Sequence, residues 1–431
     1  MPSGLYPSIW PFVLWLMVWS GLNAGPDKLF EYSNPLGMLH SARALFPLAA
    51  GCAALVLWLR NRPRLWSPTT PLGLLTYSGI MGMVASLAVS PEPLIGCYWA
   101  LCYLAVLGIL RLDFFNTATP DRLRTLVRLN WILVACVAVL LTWIYWGIMA
   151  TKNLVSFYSV HRWQPFVAGM PMALPSGLAR DAAILGLVAL SRLLHAGRDV
   201  RRVAGWGGVL VLTTGILYLC ESRVATCGFL IASVLVLLAA RRIKLIVAGV
   251  VMASVVVFGM REQLWLSLER YLQVDQAGGI LGGRVEIWGA LVQLWSDSPL
   301  LGFGFHTERL LLQEPYQAHP SNAFLHILFQ GGLPAATAFV AAWVLIWRSL
   351  GCALRSAGNR GIHEYVFLGE VTGVLAFLFI RSFFESTGAF YGIDWLLLAP
   401  LVASIQAMAR QPVAPRQQVF SPQLEEAQVS L

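Results

Sequence analysis

Long apolar runs recur along this chain with only short polar joints between them, and that pattern leaves few folds open. A segment that crosses a bilayer needs about 20 mostly apolar residues. In hydrocarbon the backbone must satisfy its own hydrogen bonds, so each such segment is helical. Twelve candidates are legible, near residues 7–23, 37–59, 71–90, 93–110, 129–150, 178–194, 203–220, 224–240, 243–260, 321–347, 364–383 and 390–409. They predict an all-α polytopic membrane protein. A helical segment lies outside the membrane, between the ninth and tenth spans. Composition agrees, with 58% hydrophobic and only 12% charged residues, where a soluble domain carries about 25% charged.

Charge placement predicts the orientation. The short joints holding Arg60, Arg62 and Arg64, then Arg111, Arg122, Arg124 and Arg128, then Arg192, Arg198, Arg201 and Arg202 all fall on one side. So do Arg241, Arg242 and Lys244, Arg348, Arg355 and Arg360, and Arg410 and Arg416, giving 19 of the 30 basic residues. Cytoplasmic loops carry such an excess, which makes both termini cytoplasmic and the opposite side periplasmic. The net charge of +9 is then a topology signal, and membrane lipids rather than nucleic acid are the expected surroundings. The organisation that follows is a bundle of nine spans over 1–260, a periplasmic segment with an amphipathic helix over 261–320, three spans over 321–410, and a cytoplasmic disordered tail over 411–431. The first apolar run has no basic region ahead of it and no small-residue cleavage site, so it reads as an uncleaved span. The seven cysteines sit mostly in apolar runs without metal or disulfide spacing and read as small buried hydrophobes.

The outward segment concentrates the polar chemistry. Arg284–Trp295 (RVEIWGALVQLW) places Val285, Trp288, Leu291, Val292 and Trp295 on one helical stripe. Such a helix either lies at the membrane interface or packs on the bundle as a lid. Its N-terminal end favours anions, which recommends Arg284 for a phosphate. Gly302 and Gly304 mark a turn after it. Arg223, in Glu221-Ser222-Arg223, stands where two spans meet with almost no loop. An arginine at that depth is costly unless paired, so it either binds an anion, pairs with Glu221, or snorkels to the interface. Arg180 beside Asp181 reads as an anion ligand or as a local ion pair. His319, in HPSN, is a candidate general base, and Asn322 is a candidate helix N-cap. The run FLHILFQGGLP that follows predicts a span kinked at its Gly-Gly and Pro334. Glu370, deep in the eleventh span, has no role on this reading. Arg162, Arg381, Glu385 and Asp394 are outward groups that could line an acceptor cleft.

Ser222-Arg223 at the start of a span, GGRVEIW, SPLLGFGF and HPSNAFLHILFQGGLP, in that order, resemble the O-antigen ligase and polymerase superfamily. The last three cover 284–334 in the family's spacing, and the twelve-span layout extends the likeness along the chain. One departure is Ser321, where relatives often have a second histidine before the asparagine. The resemblance implies a GT-C-like fold and a metal-independent, inverting glycosyltransferase without cofactors. Its donor is a glycan on undecaprenyl pyrophosphate, and for a ligase its acceptor is a sugar hydroxyl of lipid A–core. Carried over, Arg223 and Arg284, with Arg180 near them, bind the pyrophosphate, and His319 acts on the acceptor hydroxyl. Ser222, Trp288 and Asn322 would support them.

The chemistry is coherent with those residue types. Pyrophosphate is already a good leaving group, and planar guanidinium forks can stabilise its developing charge. A histidine with an ordinary pKa near 6.5 suits general-base work. The modest outward segment, without a large appended domain, is expected of a ligase more than of a polymerase. A twelve-span transporter would instead show repeat-related halves and polar groups near the midplane.

Overall fold

The computed structural model describes residues 9–22, 38, 42–61, 67–112, 120–163, 166–167, 170–171, 174–248, 284–312, 320–357 and 362–410. Within them the regular structure is helical, apart from a two-residue antiparallel ladder pairing Phe166 with Pro171 and Val167 with Met170. In chain order the helices are α1 Trp10–Ser20, α2 Leu45–Asn61, α3 Pro71–Ala88, α4 Pro93–Leu112, α5 Pro120–Lys152, α6 Phe157–Trp163, α7 Pro175–Leu194, α8 Val200–Leu219, α9 Arg223–Ala239, α10 Arg284–Trp295, α11 Glu308–Leu311, α12 Ala323–Ala357, α13 Ile362–Ser382 and α14 Ile393–Arg410.

Seven of these, α3, α4, α5, α8, α12, α13 and α14, are long and apolar enough to cross a membrane. Helices α1, α2 and α9 are apolar but shorter. Helix α7 has 20 residues but carries Arg180, Asp181 and Arg192. The chain is a polytopic membrane protein, with seven spans of full length among the described residues where the sequence suggested twelve. Of the expected ninth span, 243–260, residues 243–248 are helical and those from 249 onward lie outside the described residues. So do 261–283 and 313–319 of the outward segment, and the tail 411–431.

Local chemistry sets where the helices begin. Proline opens α3, α4, α5 and α7; its missing N–H costs nothing in a first turn, which has no partner for it. The Thr70 hydroxyl caps α3 by accepting from Gly73 N. Asp199 caps α8 by accepting from the backbone of Arg201 and Arg202.

Burial divides the bundle into a centre and a rim. In α13 and α14, 78% of the span window is buried, against 17% in α5 and α8. The rim helices turn Trp143, Val211 and Tyr218 outward, as a surface solvated by lipid tails permits. A buried amide ties rim to centre: the Asn130 side-chain oxygen accepts from the indoles of Trp15 and Trp19, and its NH2 donates to the Leu396 carbonyl. Nearby, Tyr103 stacks on Trp395 at 4.1 Å.

The chain runs up and down, so the first turns of α7, α9, α12 and α14 share one end with the last turn of α13. Arg180 on α7 meets Asp394 on α14, and Asp394 meets Arg381 on α13, at that end. At the opposite end, Arg124 near the start of α5 meets Glu364 near the start of α13. We refer to these as the upper and lower ends.

Helix α12 is broken where the sequence suggested a kink. Gly331 and Gly332 leave helical geometry, Gly332 at φ 65°. The break is filled by the turn 299–304. Phe303 N donates to the Phe329 carbonyl, Gly304 N to the Gln330 carbonyl, and Leu333 N to the Pro299 carbonyl. The two backbones approach so closely that a Cβ on Gly332 would stand 2.1 Å from the Leu300 carbonyl oxygen, and one on Gly302, at φ 69°, 2.4 Å from that of Phe329. SPLLGFGF and FQGGLP thus form a single clasp.

Candidate functional site

The upper end gathers the arginines that the sequence singled out, and the clasp is what holds one of them there. Helix α10 packs on α12 through Ile287, Ala290, Leu291, Leu294 and Trp295, against Phe303, Leu312 and Phe329. That face has the i, i+3, i+4, i+7, i+8 spacing of a helix lying on a core. It differs from the expected stripe, because Leu291 is 1% exposed while Val285 is 54% and Val292 45% exposed. The tight turn at 299–304 docks α10 on α12 from one side, so the helix is rotated relative to the stripe read from hydrophobicity alone. Trp288 sits between the two faces, and its indole donates to the Pro320 carbonyl at 2.8 Å. This bond ties the helix bearing Arg284 to the segment that leads into α12.

Arg284 is the first residue of α10 and Arg223 the first of α9. Glu221 turns the chain between α8 and α9 with a left-handed φ of 51°. Ser222 occupies the cap position of α9 without a side-chain cap bond, while its carbonyl accepts from the backbone and hydroxyl of Thr226. Arg284 lies near enough to Glu385, Arg223 and Arg381 to feel the charge of each. Burial pushes its guanidinium below the ordinary arginine value; Glu385 opposes that, and the like charges of Arg223 and Arg381 add to it. The Glu385 contact is long, Nη2 to Oε1 3.6 Å, between side chains about a quarter exposed (25% and 26%). Arg223 and Arg381 thus stand beside Arg284 with one distant carboxylate, Glu385, while Arg381 is itself paired with Asp394.

Deeper in, the pairing tightens. Arg180 donates through Nε to Asp181 at 2.9 Å and forms an ion pair through Nη1 with Asp394 at 3.3 Å. Asp394 also accepts from Arg381 Nε at 3.2 Å and from the Thr387 hydroxyl at 2.8 Å. Arg180 therefore joins α7 to α14 as well as to its sequence neighbour. From the sequence, Arg381, Glu385 and Asp394 are outward groups that could line an acceptor cleft, and their ion pairs at this end are not legible there. Their signal was position: each falls at the mouth between the last two spans.

Asn322 is the N-cap that its position suggested. Its side-chain oxygen accepts from Phe324 N and Leu325 N, both at 3.0 Å, and its amide donates to the Phe383 carbonyl. It thus fastens α12 to the end of α13. His319 lies outside the described residues, as does the side chain of Arg162. Two other histidines of the upper half are core groups. His326 is fully buried, with Nε2 3.4 Å from Glu308 Oε1 and 2.7 Å from Gln330 Nε2. His306 packs against Trp99 and Phe390. Glu370, left without a role by the sequence, belongs to the lower half. It accepts from Arg192 Nε at 2.6 Å and from the Trp131 indole at 3.1 Å.

Among the described residues, no group of three or more His, Cys, Asp or Glu side chains is arranged to hold a metal ion. What the upper end offers chemically is a fork-rich, partly desolvated cationic mouth, suited to a phosphate or pyrophosphate.

No curated protein matches the chain. Residues 208–340 match the family described as O-antigen ligase, whose members are ligases and polymerases of the glycosyltransferase kind. The matched stretch runs from within α8 to the first half of α12 and includes Arg223, Arg284, the clasp and His319, so that the match supports an O-antigen ligase family assignment for this chain.

Proposed function

We propose that this protein is an O-antigen ligase of the bacterial inner membrane, acting at its upper end, which faces the periplasm, with both termini cytoplasmic. It transfers a glycan from undecaprenyl pyrophosphate to a sugar hydroxyl of lipid A–core, inverting the anomeric centre. The observation that carries the reading is the gathering of guanidiniums at one end, Arg284 with Arg223 and Arg381 beside it, together with the length of the Arg284–Glu385 contact. That arrangement supports binding of a diphosphate.

In the reaction, the acceptor hydroxyl oxygen attacks the anomeric carbon of the donor sugar. The bond from that carbon to the pyrophosphate oxygen breaks, and its electron pair leaves with the undecaprenyl pyrophosphate. Arg284 and Arg223 bind the oxygens on which charge develops, in a setting that strengthens each interaction by excluding water. The hydroxyl proton passes to a ring nitrogen of His319. Arg180 and Asp394 keep Arg381 in place. No metal or ATP enters, since the lipid-linked donor carries the energy.

The test uses purified protein with lipid-linked donor and lipid A–core, comparing wild type with Arg284→Ala and His319→Ala. Glycosylated lipid A–core from wild type only is the expected result. Lengthening of the lipid-linked glycan without transfer to lipid A–core would make the protein a polymerase. No product from folded wild type would overturn glycan transfer.

A further inference from the structure

A large cavity among the described residues is remote from the arginine mouth. It is a groove of about 1230 Å³ on the rim, between α5, α7, α8 and the start of α13. Along α5 it is lined by Arg128, Trp131, Ile132, Ala135, Val139 and on to Trp146, a single helical face. The 18 steps from Arg128 to Trp146 rise roughly 27 Å, close to the thickness of a bilayer's hydrocarbon core. The groove is therefore long enough for an extended lipid chain.

Its polar groups are confined to one end. Arg128 stands near the start of α5, Arg192 and His195 at the end of α7, Arg202 at the start of α8, and His363 at the start of α13. Because the helices alternate in direction, all five lie at the lower end. Above them the lining is apolar and aromatic, interrupted only by Thr142 and Thr213. Three guanidiniums face one lining carboxylate, Glu370. Arg192 spends its Nε on that carboxylate at 2.6 Å and lies flat over Trp206, 4.6 Å from the ring centroid. Arg202 holds the exposed Asp199 at 3.0 Å, with its own side chain 71% exposed, a pair of little strength in contact with water. Arg128 is exposed and has no carboxylate within ion-pair distance among the described residues.

We propose that this groove is a binding site for an anionic phospholipid, whose phosphate sits among Arg128, Arg192 and Arg202 and whose acyl chain follows α5 toward Trp143 and Trp146. Charge complementarity selects the occupant. A zwitterionic lipid fills the apolar part equally well but brings its own cation to a mouth already rich in cations. The donor's diphosphate belongs at the other end, about 18 Å away along α7 between Arg180 and Arg192. On the orientation proposed above, the lipid is drawn from the cytoplasmic leaflet, where anionic headgroups attract Lys and Arg. Arg192 is positioned for this by Glu370 and Trp131, so the buried carboxylate of α13 acts as a bracket for a lipid-facing arginine.

Native mass spectrometry of the full chain in mild detergent, with equal amounts of phosphatidylglycerol and phosphatidylcholine, tests the proposal. Wild type is expected to retain phosphatidylglycerol at least about fivefold better, the preference that about 1 kcal/mol from a single engaged arginine would give. Arg128→Gln with Arg202→Gln, at two exposed positions that carry no core packing, should bring the ratio toward unity at unchanged helicity. Arg348→Gln, a lower-end arginine outside the groove, should leave the preference intact. Ala135→Trp, which fills the apolar part, should lower retention of both lipids. Equal retention by wild type would overturn the proposal. So would an unchanged preference in the double variant, an equal loss in Arg348→Gln, or displacement of phosphatidylglycerol by an uncharged polyprenol.

Discussion

The two ends of the bundle use the same residue types to opposite effect. At the lower end the buried and half-buried carboxylates are matched one to one, Glu370 with Arg192 at 2.6 Å and Glu364 with Arg124, and the arginines left over, Arg128 and Arg202, stand exposed on the rim. At the upper end one carboxylate, Asp394, is shared by Arg180 and Arg381, while Arg284 reaches Glu385 only at 3.6 Å and also faces Arg223 and Arg381. Close pairing at depth fixes helices against each other. A carboxylate that is shared or distant leaves charge for something that is not protein. The difference teaches that an arginine's significance in a membrane bundle lies in how many carboxylates it must divide, more than in its depth.

The largest effect should come from the upper end. Arg284→Ala or Arg223→Ala should lower glycan transfer on the order of 10²–10³-fold, the range seen on removing one donor to a developing anion, with the protein still folded in the membrane. Near-normal initial rates in both would break the contrast. At the lower end the loss should be of stability. Glu370→Ala removes the buried partner of the partly exposed Arg192, which costs up to about 3 kcal/mol, while Arg202→Ala at the exposed pair costs less than about 1 kcal/mol. Unfolding monitored by thermal shift in detergent would check the ranking, and equal losses would contradict it. Between the ends, Asn130→Leu leaves the indoles of Trp15 and Trp19 without their acceptor and should cost about 2 kcal/mol, read as a lower midpoint with unchanged specific activity of the folded fraction. The smallest effect sharpens the comparison. Glu385→Gln removes the one carboxylate that faces Arg284 among the described residues, and donor binding should tighten a few-fold, on the scale of a weak, partly screened pair. Weaker donor binding would mean that Glu385 supports the diphosphate site instead of competing for it.

Much of this was legible in the sequence, and the limits have physical causes. Spans such as 71–88 and 393–410 stand out because hydrocarbon demands unbroken apolar length. The Gly-Gly break in α12 and the turn at Gly302 were readable because only glycine tolerates such backbone. The cap at Asn322 was equally plain. The buried face of α10 was not, since it is set by the turn 299–304 docking on a segment thirty residues onward. The network of Arg180, Arg381 and Asp394 was hidden for a similar reason: Asp181 beside Arg180 suggests a pair complete in itself, and the third and fourth members come from spans far along the chain. Glu370 looked anomalous until α7 brought Arg192 to it.

The clasp between 299–304 and the break in α12 bears on how the protein is made. A chain emerging from the ribosome presents Arg223 and Arg284 before the carbonyls of Phe329 and Gln330 exist to fix the turn that seats α10. Arg381, Glu385 and Asp394 follow later still. The cationic mouth is therefore assembled from both halves of the polypeptide and completed only when the last two helices have entered the bilayer. A nascent or truncated chain has arginines but no mouth, so the proposed diphosphate site exists only once the bundle is whole.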